Sequence, residues 1–320
     1  MTSGKISDVV MAAGELSAAI SKLALSFNPA LASIIEQGNK DIFEQLAMVI
    51  GDRFDKQAEF FAERMSGNYA VDEFGFDPAL TEEIFLPILR TLFEKWFRGE
   101  VKGSENIPTS GAALLVSNHS GTLPLDSLMT QVSVFDHTQR HMRSLGADLI
   151  FSQPWLSELA RKSGVTLACQ EDADRLLRNG ELVGVWPEGF KGIGKPYRDR
   201  YKLQRFGRGG FVASAIKSQV PIIPVSIVGA EETYPMIYNA TLLARLLGVP
   251  YFPITPTFPW LGLFGMVPLP SKWIIEFGTP IETVGYDDDP IHQLELSEIV
   301  RAEIQTTIDR LLADRGEAFL

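Results

Sequence analysis

From Val101 onward, short apolar runs recur at intervals wide enough to hold a helix between them. Ala112–Ser117, Val165–Ala168, Leu182–Trp186, Ile222–Val228 and Trp273–Phe277 are too short for buried helices and are bounded by glycine, proline or polar turns. Such runs alternating with helices form an α/β domain, because parallel neighbours need a crossover between them. We therefore expect a mostly parallel or mixed central sheet flanked by helices. Glu171–Asn179 reads as one such helix: acids open it, Arg178 lies near its end and Gly180 stops it. A longer amphipathic helix is expected over Ile291–Ala313. No internal repeat or low-complexity tract interrupts the pattern.

The first hundred residues read differently. Apolar positions fall at three- and four-residue spacing over 7–26 and 41–65, for example Ile42, Leu46, Ile50 and Phe54. A third helix is expected over Thr81–Phe97. Gly67-Asn68 and Gly75-Phe76-Asp77-Pro78 punctuate the pattern as turns. The expected division is an N-terminal helical extension over 1–96 and an α/β domain over 97–320. Met1–Val10 holds Lys5 and Asp8 without a long apolar core, so it does not read as a secretory signal. A lone Cys169 excludes an intramolecular disulfide and a thiolate-rich zinc site, and fits a reducing cytoplasm.

Charge narrows the function classes. The 320 residues carry 29 Lys+Arg against 40 Asp+Glu, a formal net charge of −11, which disfavours a free-standing nucleic-acid binder. One island opposes the trend: Lys191, Lys195, Arg198, Arg200, Lys202, Arg205 and Arg208 stand within Lys191–Arg208 beside a single acid, Asp199. Leu246–Ser271 has no charge over 26 residues but holds six prolines, which no membrane-spanning helix accommodates. With Tyr251, Phe252, Phe258, Trp260 and Phe264 it reads as an apolar loop that lies on a membrane surface or folds over an apolar pocket; an ordinary buried loop is the plainer alternative.

Two constellations carry possible chemistry. Asn118-His119-Ser120-Gly121 follows the first strand, and Asp126 comes one loop later. Ligands of α/β sheets sit at such carboxyl ends of strands. A carboxylate holding one imidazole nitrogen leaves the other to accept a proton from a hydroxyl. Trp186-Pro187-Glu188-Gly189-Phe190-Lys191-Gly192 follows another strand, so both motifs should open on one sheet edge. There Glu188 can bind a hydroxyl and Lys191 an anion, and Lys195 and Arg198 can add phosphate contacts. Taken singly, a histidine of this kind is usually a satisfied core or capping residue and a basic run a solvated face. His137 and His141 lie four apart without an acidic third ligand, and no metal site is expected. Cys169 reads as a structural thiol. No G-x-S-x-G elbow marks a serine hydrolase.

At these residues the chain resembles the lysophospholipid/glycerolipid acyltransferase superfamily, over roughly Phe97 to Leu312. The first family motif pairs a histidine with an aspartate, usually four residues apart; here six separate His119 from Asp126, as in the longer-loop branch related to mono- and diacylglycerol acyltransferases. Trp186-Pro187-Glu188-Gly189 matches the third motif and Val220-Pro221-Ile222-Ile223-Pro224-Val225 the fourth. The arginine of the second motif has no match around Gly164–Asp172. The resemblance implies acyl transfer from acyl-CoA or acyl carrier protein to a hydroxyl of a lysophospholipid or acylglycerol. His119 would be general base and Asp126 its orienting partner. Asn118, Ser120, Gly121, Glu188, Gly189, Lys191, Lys195 and Arg198 would line the substrate site, with no metal and no cofactor beyond the acyl donor. It also implies peripheral attachment through Leu246–Ser271 on the cytoplasmic face. Two other readings follow from the departures: a lipid-binding scaffold on the same fold, or a thioesterase or esterase using water as acceptor.

Overall fold

The computed structural model describes residues 69–319 apart from Gln153 and Arg208. The helices expected over 7–26 and 41–65 lie outside the described residues. Seven strands form one sheet: β1 (Glu100–Lys102), β2 (Ala113–Ser117), β3 (Met142–Gly146), β4 (Val165–Leu167), β5 (Leu182–Val185), β6 (Ile222–Val228) and β9 (Ile274–Phe277). Their order is β1-β9-β6-β2-β5-β3-β4. Pairing is parallel throughout except between β6 and β9, so the sheet is mixed. β7 (Tyr238–Asn239) and β8 (Pro253–Ile254) form a separate antiparallel ribbon.

All five expected strands are present, and β1 and β3 are added. The sequence Met142-Arg143-Ser144-Leu145-Gly146 looks half polar, yet Arg143 and Ser144 are both buried. Arg143 pairs with Asp72 and lies 4.6 Å from the centre of the Phe76 ring, while the Ser144 hydroxyl meets Ser127 and Gln131. A buried polar group is tolerated only when partnered in this way.

Helices cover both faces. On one, α2 (Gln170–Arg178), α4 (Gly210–Ser218) and α6 (Pro290–Arg315) pack Leu176, Val212, Ile216, Leu296, Val300 and Ile304 against the sheet. On the other, Met129 and Val134 of α1 (Leu125–Thr138) join Phe93, Trp96, Phe97 and Trp273. The helical turns over 78–96 thus supply Phe93 and Trp96 to the same core as Phe97. The expected helices at Glu171–Asn179 and Ile291–Ala313 match α2 and α6 within two residues at each end. Asp289 caps α6 by accepting from Ile291 and His292 N–H, and Pro290 opens it.

The far end of α6 is tied inward by charge. Arg315 Nη2 lies 2.9 Å and Nη1 3.1 Å from the Glu232 oxygens, with the two side chains 6% and 3% exposed. The Tyr201 hydroxyl donates to Glu232 and accepts from Gly229 N–H at 2.9 Å. Removing one partner of a buried pair strands the other, typically at about 3–5 kcal/mol. Glu232→Ala should lower stability by that order, read as a drop in urea midpoint. Glu298→Ala, which breaks an exposed pair with Arg301, should change it by about 1 kcal/mol or less.

Candidate active site

Three neighbouring parallel strands set the site. Val116 of β2 lies level with Val185 of β5 and Pro224 of β6. The chain therefore leaves all three strands at one edge, delivering Asn118-His119, Trp186-Pro187-Glu188 and Gly229-Ala230-Glu231 side by side. The first two are the segments expected to share an edge.

His119 Nδ1 lies 2.7 Å from Asp126 Oδ2. Asp126 is fully buried in the first turn of α1. Its Oδ2 also accepts Ser120 N–H at 2.9 Å, and its Oδ1 accepts Ser127 N–H at 2.8 Å. Those bonds fix the carboxylate, and the carboxylate fixes the imidazole. Among the described residues no hydrogen bond engages Nε2. The Trp186 ring stands beside the imidazole, centroids 6.0 Å apart.

The six intervening residues are folded, not slack. Gly121 has φ +93° and Thr122 φ +66°. A Cβ on Gly121 would stand 2.7 Å from the Ala230 carbonyl oxygen, so the loop passes against the chain leaving β6. Three elements then hold Thr122. Its N–H donates to the Ile193 carbonyl (3.2 Å), its hydroxyl donates to the Tyr234 carbonyl (3.1 Å), and its carbonyl accepts from the Tyr251 hydroxyl. A non-glycine residue at positive φ persists only where its surroundings enforce it. The longer spacing is absorbed in this detour, and the histidine still meets its aspartate.

The remaining predicted residues divide. Asn118 is buried and clamps Ile227, donating to its carbonyl (3.0 Å) and accepting its N–H (2.8 Å). Ser120 is buried too, its hydroxyl without a partner among the described residues. Glu188, expected to meet a substrate hydroxyl, instead turns inward. Its Oε1 accepts His119 N–H at 2.9 Å and its Oε2 accepts Gln204 N–H at 2.6 Å. Lys195, expected to meet phosphate, is buried between Glu188 Oε2 (3.6 Å) and Glu231 Oε1 (3.2 Å). The side chains of Asn118, Glu188 and Lys195 are thus engaged by protein groups. Gly189 and Lys191 are exposed at the start of α3 (Phe190–Ile193). Arg198 is also outside, its side chain 85% exposed beside Asp199. Of the island, Arg200, Lys202 and Arg205 are exposed, and Arg208 lies outside the described residues. His137 bonds the Ser133 carbonyl and His141 pairs with Glu82. Cys169 precedes α2, and burial pushes its thiol up, away from the thiolate.

An apolar cavity of about 330 Å³ adjoins the loop between the pair, within the usual range of ligand pockets. Thr122 and Leu123, from the loop between His119 and Asp126, form one wall with Phe190. The other wall comes from Leu247–Met266, including Tyr251, Phe252 and Phe258. The charge-free segment thus folds over an apolar pocket. Thr122 and Tyr234 carry no signal in the sequence; Tyr251 reads there as part of the apolar segment, and the fold adds its hydroxyl bond to Thr122.

A family model described as Acyltransferase matches residues 98–228. Uncharacterised proteins of Mycobacterium bovis and Mycobacterium tuberculosis are each 52% identical over 296 residues, 91% of this chain and 80% of theirs. The chain belongs to the acyltransferase family. A human protein described as a DGAT1/2-independent enzyme synthesizing storage lipids is 27% identical over 215 residues, 67% of this chain and 62% of that one. A solved structure of the 1-acyl-sn-glycerophosphate acyltransferase PlsC of Thermotoga maritima is a fainter likeness, with TM-score 0.45 and 20% identity over 70% of this chain and 80% of that one. The acyltransferase match takes in His119, Asp126 and Glu188, and ends before the segment that roofs the cavity.

Two tests follow from this packing. A Cβ on Gly192 would stand 2.6 Å from Glu188 Cβ and 2.7 Å from the His119 carbonyl oxygen. Gly192→Ala should therefore destabilise this acyltransferase by about 1–3 kcal/mol in urea denaturation. Gly210→Ala, which enters open space in α4, should not.

The second concerns Glu231, whose carboxyl burial pushes up from 4.5 to about 7 against the pull of Lys195. Between those values the folded chain holds a proton that the unfolded chain has released. Stability from this group is present below about 4.5 and is lost as pH rises towards 7. Urea midpoints measured across that range should fall less steeply in Glu231→Gln than in the wild type.

Proposed function

We propose that the chain is an O-acyltransferase moving a fatty acyl group from acyl-CoA or acyl carrier protein to a hydroxyl of a lysophospholipid or acylglycerol. The observation that carries this reading is a buried, triply held aspartate on His119 Nδ1, set beside an apolar cavity whose wall includes the loop between the two residues. His119 Nε2 removes the proton of the acceptor hydroxyl. The oxygen attacks the thioester carbonyl carbon, the C–S bond breaks, and the imidazolium returns its proton to the leaving thiolate. Asp126 keeps Nδ1 protonated and steadies the imidazolium.

The developing oxyanion calls for preorganised donors. Gly189 N–H is engaged by the Trp186 carbonyl at 3.0 Å, whereas Gly121 N–H has no partner among the described residues, which favours Gly121 for that part. The cavity takes the apolar chain of donor or acceptor. Exposed Lys191, Arg198, Arg200 and Lys202 suit a phosphate of either substrate. No helix among the described residues is long and apolar enough to cross a membrane. Peripheral attachment on the cytoplasmic face, through the apolar segment, fits that geometry.

The test is a product assay with labelled long-chain acyl-CoA and a panel of lysophosphatidic acid, lysophospholipids, monoacylglycerol and diacylglycerol. A labelled lipid is expected, and His119→Ala should lose about 10²–10⁴-fold in rate while keeping its fold by circular dichroism. Near-full activity in that variant would end the mechanism. Labelled free fatty acid without any lipid product would favour the thioesterase reading.

A further inference from the structure

The helix α5, Thr241–Leu247, turns its leucines outward: Leu242 is 71%, Leu243 43%, Leu246 75% and Leu247 60% exposed, while Ala244 is buried. At 100° per residue the four leucines cover an arc of about 140°, with Ala244 facing the domain. Ile237, just before β7, and Trp260, in the charge-free segment, are exposed as well, at 66% and 65%. Exposed leucines grouped in this way are normally covered by something, because their contact with water is unfavourable.

Two observations choose the occupant. The patch is continuous with the cavity: Leu247, Phe190 and Met266 are each at least 43% exposed and also line it. A flat protein partner would cap that mouth, whereas a lipid chain passes from the patch into it. Charge points the same way. In a chain of net charge −11, the only charged residue from Met236 to Ser271 is Arg245, an exposed cation on α5 about 60° beyond the leucine arc. Arginine there can lay its stem along the apolar surface and meet a lipid phosphate with its head. No carboxylate lies within that stretch to be repelled by an anionic bilayer.

We infer that α5, with Ile237 and Trp260, docks into an anionic lipid bilayer and places the mouth of the cavity in the membrane, so that the apolar chain enters laterally from the lipid. The content of the cavity rests on the acyl-transfer reading above; the docking does not.

The test is flotation of the full chain with vesicles of phosphatidylcholine, with and without phosphatidylglycerol. The wild type should float, more with phosphatidylglycerol than without. L242E/L246E changes two residues outside the cavity wall and should lower the floated fraction at least about tenfold, with an unchanged thermal midpoint. A second readout needs no change to α5. Brominated lipid should quench tryptophan emission of the wild type, and the quenching should shrink in Trp260→Phe. A wild type that stays unbound, a double variant that floats equally, or a patch found only to hold two copies together would each overturn the inference. Flotation lost in the double variant supports it even if the chain transfers no acyl group, which separates its fate from that of the catalytic reading.

Discussion

One buried carboxylate joins the parts of this molecule that matter for chemistry. Glu188 follows β5, yet it holds the backbone of His119 after β2 and of Gln204 in the basic loop, with Lys195 beside it. An ionised group taken from water is costly unless donors replace its hydration. Here two backbone N–H groups and an ammonium replace it, and each comes from a different stretch of chain. The carboxylate therefore fixes where His119 leaves the sheet. Glu231 extends the arrangement, accepting from Lys195 and from Tyr201 N–H, and so ties in the strand end that follows β6. Charge compensation at this edge and the placement of the imidazole are one requirement.

That coupling explains how a longer loop is tolerated. With the His119 backbone held by Glu188 and Asp126 fixed in the first turn of α1, the distance between the two side chains is set by the sheet and the helix. The residues between them are free to serve another purpose. Thr122 is drawn out to meet Ile193, Tyr234 and Tyr251, and with Leu123 it becomes cavity wall. The loop that spans the pair and one wall of the cavity are thus the same residues.

Much of this was legible in the sequence where the physics is local. Buried parallel strands announce themselves as continuous aliphatic runs, and α2 and α6 by periodicity and caps. β3 was hidden because its burial depends on partners far away in the chain, Asp72 for Arg143 and the α1 side chains for Ser144. The same divide runs through the site. His119 and Asp126 could be paired from strand context and proximity. Glu188 could be singled out but not aimed, because whether a carboxylate faces a ligand or the protein depends on donors such as Gln204 that only the fold brings near. Lys195 looked like one cation among seven, and its burial is decided by Glu231, 36 residues on. Tyr251 was legible as a ring of the apolar segment but not as a tether, because its hydroxyl reaches a carbonyl 129 residues away.

The proline-rich segment shows how an irregular chain can stay apolar. Every backbone N–H away from water needs an acceptor. Six prolines remove six donors between Leu246 and Ser271, and one buried threonine answers two others: the Thr255 hydroxyl accepts Phe258 N–H at 2.8 Å and Thr257 N–H at 3.3 Å, while the Thr257 hydroxyl donates to the Gly265 carbonyl at 3.0 Å. The segment is then hooked to the domain through its carbonyls, with the Tyr234 hydroxyl donating to Met266, the Trp96 indole to Pro268 and the Arg98 guanidinium to Pro270. All three hooks fall after Gly265, so the later part of the roof is anchored. The earlier part, from Leu247 to Phe258, meets the domain chiefly through its ribbon bonds to 237–240 and the Tyr251 hydroxyl on Thr122. The wall held chiefly by the ribbon is therefore also the one joined, through the Tyr251 hydroxyl, to the loop that follows His119.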